Sequence, residues 1–474
     1  MMNFINDVII SFRSCFSRNA TFEWFITVVI GLMVRTDNLG VTSIIRALYL
    51  KAEYMGLIGF FRSKGWNLKE LTSKWCEIIR DKAPLVTLKG AVIMVGDAVK
   101  GPKEGRKMPG VKRHHQESDN SSKPEYIYGH MFGSVGILAE KEDKQFCIPL
   151  SMTLQDGVKT IIGWDEPTER QDSHVVETIR NAANASEHFG SAILLLDRQY
   201  LSVSALKTLD EAVAKGCQLH IVTKAKSNCT AFQEPEPNKR GRPRLKGESV
   251  KLFSLFDSEK DHFKMTEILL YGKSIQANFH CLDLLWGRTL YKKLRFILVE
   301  YEGIRTVLVS TDLTLESLEI IQLYGRRFGI EVMFREMNQV ISAFRYRFWS
   351  KRMPKLKRFR KKTETDPVEQ VSDRKKQNRI RLAVKATEGF MFCAIVATGL
   401  LQMLSLHFSG TEELSILRYT RTKRRTNVSE ATIADFLRKN FMTLMIFSPD
   451  LPICQIISAK QDVSLGNTGA NDAA

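Results

Sequence analysis

Three acidic residues of this chain have the type and the setting to bind metal ions, and Glu331 is the first of them. It lies in the basic, apolar stretch YGRRFGIEVMFREMNQ, residues 324–339. Steps of three, four and seven residues place four polar side chains of this stretch on one helix face: Tyr324, Arg327, Glu331 and Asn338. The apolar side chains expected on the buried face are Ile330, Phe334 and Met337. An ordinary surface ion pair between Arg327 and Glu331 would also explain this acid.

The other two acids end apolar runs. Asp97 closes the run in LKGAVIMVGDAV, and Asp197 closes the run in SAILLLDRQYLS, a pattern typical of buried strands. Hydrolysis and transfer of DNA phosphodiesters use two hard divalent ions about 3.5–4 Å apart, held by carboxylates. Asp97, Asp197 and Glu331 therefore predict a catalytic site for two Mg2+ (or Mn2+) ions, with no small-molecule cofactor, if the fold brings two strand ends and a helix together.

The elements that must position these acids follow a definite order from residue 89 onward. The Asp97 strand is followed by a Gly/Pro-rich, basic, flexible loop at 100–125 and by two strands, YIYGHMFGSVGILAE and QFCIPLSMTLQ. A helix at 173–189, the Asp197 strand, a helix at 201–215 and a strand at 217–225 complete the unit. This order resembles the RNase H-like arrangement, in which the first and fourth strands are neighbours and their acids meet.

The whole chain is predicted to be α/β, with an RNase H-like mixed-sheet catalytic core, a β-rich insertion and helical N- and C-terminal domains. The predicted parts are a helical, DNA-binding N-terminal domain at 1–88, the first part of the core at 89–225, a β-rich insertion with a basic linker at 226–310, the final core helix with Glu331 at 311–348, a basic helical domain at 349–458 and a disordered tail at 459–474.

Composition bounds the kind of partner. The 474 residues are 44% hydrophobic, which suits a globular protein of two to four domains. Lys and Arg number 70 against 52 Asp and Glu, and the resulting charge of +18 favours a polyanion, either nucleic acid or an anionic membrane surface. The eight cysteines form no C-x-x-C pair, which argues against a zinc module or a disulfide framework and fits a reducing cytosol.

Two apolar runs bear on the membrane alternative. The run at 24–34 is too short to span a bilayer, whereas FMFCAIVATGLLQMLSLHF at 390–408 is about long enough. The longer run contains Gln402, two hydroxyl residues and His407, so we expect a buried core helix. No signal peptide is visible, and the prediction is a cytoplasmic, nucleoid-associated bacterial protein that does not enter a membrane.

The motifs resemble those of the Asp-Asp-Glu transposases of bacterial cut-and-paste insertion sequences. The most similar subgroup has a β-rich insertion before the catalytic Glu and a Tyr-x2-Arg-x3-Glu-x6-Lys signature around it. Tyr324, Arg327 and Glu331 fit that spacing, whereas Asn338 stands where the family has Lys. LLLDRQYLSVSAL resembles the second-Asp motif, including the aromatic Tyr200, and VIMVGDAV resembles the first-Asp strand. The resemblance covers roughly residues 20–450.

The resemblance implies roles for the residues around the acids. Asp97, Asp197 and Glu331 would be the metal ligands, and Tyr324 and Arg327 would contact DNA at the transposon end. Asn338 cannot supply the charge of the missing Lys. We therefore expect Arg335, one turn after Glu331, to carry that phosphate contact with Asn338 as an accessory donor.

Two further basic segments are candidate DNA contacts. KRGRPRLK at 239–246 resembles an AT-hook core, which would place Arg240, Arg242 and Arg244 in a minor groove; a solvated linker is the alternative. The bases of 345–362, among them Lys351 and Arg352, suit backbone contact because Tyr346, Phe348 and Trp349 are interleaved with them. His130 and the pair His114–His115 are expected to be structural or surface residues.

The resemblance implies a DNA transposase. It would bind double-stranded DNA, both terminal inverted repeats and target DNA, as a homodimer in a synaptic complex. It would excise and insert an insertion sequence by metal-dependent hydrolysis and strand transfer, with a hairpin at the transposon end. The alternatives are an RNase H-like nuclease or a domesticated transposase that acts as a DNA-binding protein.

Overall fold

The computed structural model describes residues 1–51, 54–116, 124–142, 144–164, 172–237, 243–270, 273–359, 364–408 and 428–462. These residues form an α/β structure in which thirteen strands make one mixed sheet. The strands are β1 (Thr87–Leu88), β2 (Ala91–Pro102), β3 (Lys112–His115), β4 (Tyr126–Lys141), β5 (Lys144–Gln155), β6 (Ser191–Leu195), β7 (Gln218–Lys224), β8 (Thr230–Phe232), β9 (Ser249–Lys251), β10 (Lys264–Leu270), β11 (Lys273–Trp286), β12 (Lys292–Tyr301) and β13 (Ile304–Ser310).

Helices precede, interrupt and follow the sheet. They are α1 (Met2–Ile10), α2 (Asn19–Val34), α3 (Thr42–Ala47), α4 (Tyr54–Arg62), α5 (Leu68–Lys82), α6 (Lys159–Ile162), α7 (His174–Ser186), α8 (Val203–Ala214), α9 (Leu255–Ser258), α10 (Ser317–Gly325), α11 (Gly329–Gln339), α12 (Arg374–Phe408), α13 (Glu430–Ile446) and α14 (Pro452–Lys460). Several helices begin with a side-chain cap. The Ser173 side chain, for example, accepts a hydrogen bond from the backbone N–H of Val176 in α7, and the Ser202 side chain accepts one from the backbone N–H of Ala205 in α8.

The strands that carry the two predicted Asp residues lie side by side. Five strands run in the order β5-β4-β2-β6-β7; β5, β4 and β2 are antiparallel, and β2, β6 and β7 are parallel. The apolar runs Ala91–Gly96 and Ala192–Leu195 are buried throughout, as expected for strands covered on both faces. The pairing of the first and fourth predicted strands is therefore present in this sheet.

The segment between β7 and α10 extends the same sheet. β13 pairs antiparallel with β7, with Val309 opposite Thr223, and the order continues through β12 and β11 to β8 and β9. β10 pairs antiparallel with the first half of β11, residues 273–279. This extension has its own hydrophobic cluster, which includes Phe256, Phe296 and Leu298. The strands predicted within 226–310 are thus present and continuous with the core sheet.

The N- and C-terminal helices pack together around α12. The long apolar helix contacts α2, α4, α5, α13 and strand β5. Gly399 of α12 allows the close approach of Trp75, because a Cβ atom there would lie 2.4 Å from the indole Cζ2. Among the described residues α12 is the one helix long and apolar enough to cross a membrane, and that apolar stretch is entirely buried in the protein. It is a core helix in this fold.

The single helix predicted for 311–348 is wrong. α10 ends at Gly325, a 3-10 turn covers Arg326–Phe328, and α11 ends at Gln339. Ser342 has φ of 54°, a backbone conformation that cannot continue a helix, and residues 344–350 alternate between buried and exposed. Directly after the helix, the carbonyl groups of Val340, Ile341 and Ser342 accept hydrogen bonds from Arg438 and Arg35, which hold the chain in this other conformation.

Two smaller predictions also need correction. The loop predicted to be flexible at 100–125 contains β3 and buries Met108 and Val111, although residues 117–123 lie outside the described part. The predicted tail begins inside α14, and Gln461 pairs with Leu50; residues 463–474 lie outside the described residues.

Candidate active site

The register of β2 and β6 sets Asp97 and Asp197 at the same level of the sheet. Val95 pairs with Leu195 in the parallel ladder, and each acid follows two residues later. Neighbouring strands are about 4.8 Å apart. The two acids therefore follow a pair of residues that lie side by side on neighbouring strands, where the parallel pairing of these strands ends. Gly96, which precedes Asp97, makes room for Leu196, because a Cβ atom there would lie 2.7 Å from Cδ2 of that leucine.

Arg327 connects the strand acid to the helix acid. Its Nη1 lies 3.2 Å from Oδ2 of Asp97, and its Nη2 lies 2.5 Å from Oε1 of Glu331. α11 packs on β2 and β5 and buries Ile330 and Met333, which leaves Glu331 on its exposed side. One guanidinium therefore lies between two of the three predicted metal ligands, and the surface ion pair considered from sequence is one half of this contact.

Burial and mutual repulsion shape the electrostatics of the acids. Burial raises the pKa of Asp97 to about 6; the N–H of Ala98 and Arg327 oppose this shift, whereas Asp197 and Glu331 add to it. Burial alone would lower the pKa of Arg327, but Asp97, Tyr324, Asp197 and the bond to Glu331 outweigh it and raise that pKa. Asp197 and Glu331 thus both act on Asp97, as groups that lie near it do.

These acids suit hard divalent cations. They supply carboxylate oxygens from two strand ends and a helix, and Asp97 is an acid whose ionised form a nearby cation stabilises. Their ligand atoms do not converge on one point: within the described residues, the group with three such atoms all within 4.8 Å of one another lies elsewhere. The carboxylates are spaced apart, with Arg327 between Asp97 and Glu331, and this spacing fits a site for more than one ion.

A basic groove adjoins the acids. Arg335 and Asn338 of α11, Lys100 of β2 and Arg345 line a cavity of about 240 Å3 together with Phe334 and Phe344. Arg335 is 57% exposed and pairs with its neighbour Glu336 at 2.9 Å. The sequence predicted Arg335 and Asn338 as a pair; the structure adds Lys100 and Arg345 on the opposite wall.

The remaining predicted DNA contacts are dispersed. Tyr324 is half-buried near Arg327, whereas Arg244, Lys351 and Arg352 are exposed. Arg240 and Arg242 lie outside the described residues, so the AT-hook resemblance stays a sequence prediction.

Two of the three aromatic residues interleaved with the bases are turned away from solvent, contrary to expectation. Tyr346 and Phe348 are buried, because the extended backbone turns alternate side chains inward. The Tyr346 hydroxyl lies 2.6 Å from Nδ1 of His130, whose pKa burial lowers to about 3. Trp349 is 51% exposed and is the one of the three that can meet a ligand.

Sequence reasoning missed several residues at or near the site. Lys224 ends β7 beside β6; burial lowers its pKa while Asp197 opposes that shift. Its position at the carboxyl end of a neighbouring strand was the available signal. A second missed group, Glu259, His262 and His280, lies in the extended part of the sheet. Its only trace in the sequence is the Glu-x-x-His spacing of Glu259 and His262.

Comparison of the chain with protein-family models, with curated proteins and with solved structures finds no match.

Proposed function

We propose that this chain is a metal-dependent enzyme that cleaves and joins DNA strands, a transposase of the Asp-Asp-Glu class. The observation that carries the proposal is the arrangement of the three acids. Asp97 and Asp197 share one level of two parallel strands, and Arg327 joins Asp97 to Glu331. Acids at least 100 residues apart in the chain are grouped here, as phosphodiester chemistry with bound divalent ions requires.

The sheet supports the proposal at the level of fold. The order β5-β4-β2-β6-β7, with an antiparallel first half and a parallel second half, is the order expected of an RNase H-like core. The β-rich segment between β7 and α10 stands where the transposase subgroup carries its insertion. A helix bearing the third acid then returns to β2, which is also the expected sequence of elements.

The residues of the chain have distinct tasks in this proposal. Asp97, Asp197 and Glu331 would hold two Mg2+ or Mn2+ ions, and these ions would supply activation of the attacking oxygen and stabilisation of the leaving one. Arg327 contacts both Asp97 and Glu331, and its charge favours the ionised form of Asp97, the form that a metal ligand needs. Asp97 has to lose its proton near its pKa of about 6 before it can ligate.

DNA would approach along a continuous basic surface. The groove of Lys100, Arg335 and Arg345 begins beside the acids. From there Arg345, Arg347 and Trp349 face outward in alternation with buried residues, and exposed Lys351 follows. Guanidinium and ammonium groups at this spacing bind phosphates without regard to sequence. Terminal inverted repeats, a homodimeric synaptic complex and a hairpin intermediate belong to the same proposal.

A plasmid excision assay tests the proposal. A reporter is placed between the two DNA segments that flank this gene, and the protein is supplied with Mg2+. We expect excised and rejoined DNA with the unaltered protein and none with Asp97→Asn, Asp197→Asn or Glu331→Gln. Asp210→Asn is the matched control, because Asp210 is an acid of α8 that pairs with Lys292 away from the three acids.

The products separate the proposal from its alternatives. Broken DNA without joined products would indicate an RNase H-like nuclease and contradict strand transfer. Retained DNA binding with no cleavage under any condition would indicate a DNA-binding protein. Full activity of any one acid variant would remove that acid from the site.

A further inference from the structure

Glu259, His262 and His280 form a cluster of metal-ligand atoms far from the three acids in the chain. Oε2 of Glu259 lies 2.9 Å from Nε2 of His280 and 3.9 Å from Nδ1 of His262. The ligand atoms of the three residues all lie within 4.8 Å of one another. Two imidazoles thus share one carboxylate oxygen as their neighbour.

Two separate elements supply the cluster. Glu259 and His262 lie three residues apart around a 3-10 turn, Lys260–His262, that follows α9. His280 is on β11 and is 15% exposed at its side chain, with the ring of Phe263 5.6 Å away. Phe263 in turn lies 5.6 Å from the buried ring of Phe256. His280 is therefore held in place, whereas His262, which is 69% exposed, is free to adjust.

The donor set selects the kind of ion. Two imidazole nitrogens and one carboxylate oxygen match Zn2+ and similar divalent transition metals, whereas Mg2+ prefers oxygen ligands alone. Ligand bonds to Zn2+ are about 2.0–2.2 Å long, so the three atoms need only a small inward adjustment, which His262 can supply. A hydrogen bond between Glu259 and His280 would account for that pair but not for the second imidazole beside it, whose ring lies 5.6 Å from that of His280.

We propose that Glu259, His262 and His280 bind one Zn2+ ion that fastens the turn after α9 to β11. The turn runs directly into β10, which pairs with β11 from Lys264 opposite Phe279 onward. The ion would add a second connection beside this pairing, and it would leave one coordination position for water. Its role would be to stabilise the extended part of the sheet that joins β7 to α10. The site is independent of the proposed DNA chemistry and of its Mg2+ or Mn2+ ions.

Binding of Zn2+ and Co2+ to the full-length protein tests this site. Titrations are done with Mg2+ in large excess, so that the three acids are occupied by the harder ion. We expect one equivalent of Zn2+, and a Co2+ complex whose visible absorption reports nitrogen ligands in tetrahedral geometry. His262→Ala should weaken Zn2+ binding by at least roughly 10–100-fold, the effect of losing an outer-shell partner of a metal ligand. Because the His262 side chain is exposed, its removal should not disturb folding, so weaker binding would report the loss of a ligand.

Two control variants make the result specific. His115→Ala removes a histidine that is 52% exposed and lies 3.8 Å from the carboxylate of Glu125, and it should bind Zn2+ as the unaltered protein does. Asp197→Asn should also bind Zn2+ normally, so failure of the DNA activity and failure of this site are distinguishable.

Hydrogen–deuterium exchange should slow at 259–263 and in β11 when Zn2+ is added, but not in His262→Ala. Zn2+ affinity that is unchanged in His262→Ala, or an absorption spectrum without nitrogen ligands, would overturn the proposal.

Discussion

At the scale of single residues, Arg327 is the centre of the candidate site. Its guanidinium is 16% exposed and contacts Asp97 and Glu331 at once. Exposed i,i+4 pairs contribute only about 0.3–0.5 kcal/mol, so such a pair alone would have little effect. The buried contact to a strand acid 230 residues earlier is what distinguishes Arg327.

The first prediction concerns the pH dependence contributed by Asp97. Its pKa is about 6 in the fold against 3.8 as the ordinary value. The folded protein therefore binds more protons between these values, and its stability falls as pH rises through this range. Two pKa units correspond to about 3 kcal/mol of unfolding free energy. Without metal, Asp97→Asn should be more stable than the unaltered protein at about pH 8 and nearly equal to it at about pH 4.

Urea unfolding in EDTA at both pH values measures this difference. Adding Mg2+ should stabilise the unaltered protein and not Asp97→Asn, because only the former gains a ligand for the ion. A stability difference that is the same at both pH values would show that the charge of Asp97 is not the cause.

The second prediction compares Arg335 with Asn338. Arg335 supplies a charge to the groove beside Asp97, whereas Asn338 supplies only an amide. Arg335→Ala should lose about 1.5–3 kcal/mol of DNA binding, the contribution of a hydrogen bond to a charged group, and should impair cleavage. Asn338→Ala should have a much smaller effect, and Asn338→Lys should bind DNA at least as tightly. Equal affinities of Arg335→Ala and the unaltered protein would place the phosphate contact on Lys100 or Arg345 instead.

At the scale of elements, the end of α11 is fixed from outside the helix. Arg35, which is 2% exposed, donates to the carbonyl groups of Ile341 and Ser342 at 2.5 and 3.1 Å. Arg438 of α13 donates to the carbonyl of Val340. Residues from both ends of the chain thus satisfy the carbonyl groups that directly follow the helix that carries Glu331. This is why the helix ends near 340 and does not continue to 348.

The third prediction tests this anchoring. Arg35→Met keeps the apolar stem but removes donors to Gly40, Ile341 and Ser342, which leaves buried carbonyl groups without partners. We expect a loss of about 1–3 kcal/mol in the free energy of unfolding for each buried carbonyl group that is left without a donor. Arg46→Met is the control; Arg46 is 51% exposed, pairs with Asp37, and should change stability by about 0–1 kcal/mol. Similar losses in the two variants would argue against the anchoring.

At the scale of the whole molecule, exposed bases continue from the groove of Lys100, Arg335 and Arg345 along the segment that follows α11. The exposed bases after the groove belong to the segment 345–358, whose backbone is bonded to residues 106 and 107 through Leu356 and Ser350. The segment is therefore an ordered surface, attached to the loop that follows β2.

The fourth prediction concerns the salt dependence of DNA binding. Each phosphate contact contributes about 0.9 to the slope of log affinity against log salt. Lys351→Ala with Lys355→Ala should reduce that slope by about 2 for any duplex sequence, because both lysines are exposed on the segment. The control changes Lys207 and Lys215 to Ala, two exposed lysines at α8 and its end. A flat salt response of the unaltered protein would contradict the charge interpretation altogether.

The sequence by itself determined the features that depend on local patterns. Apolar runs predicted the strands that end at Asp97 and Asp197, and the long run at 390–408 predicted a core helix. These succeed because burial of a strand or helix requires a periodic or continuous apolar pattern within a few residues. The spacing around Glu331 likewise predicted a helix, and its contact with Arg327 is present.

Only the tertiary structure decided what depends on residues distant in sequence. The approach of Arg327 to Asp97, the burial of Tyr346 against His130 and the end of α11 under Arg35 are contacts across 216 to 307 residues. The meeting of His280 with Glu259 crosses from a turn to a strand. No local pattern encodes such contacts, because each depends on how complete elements pack, and packing is fixed by the whole core at once.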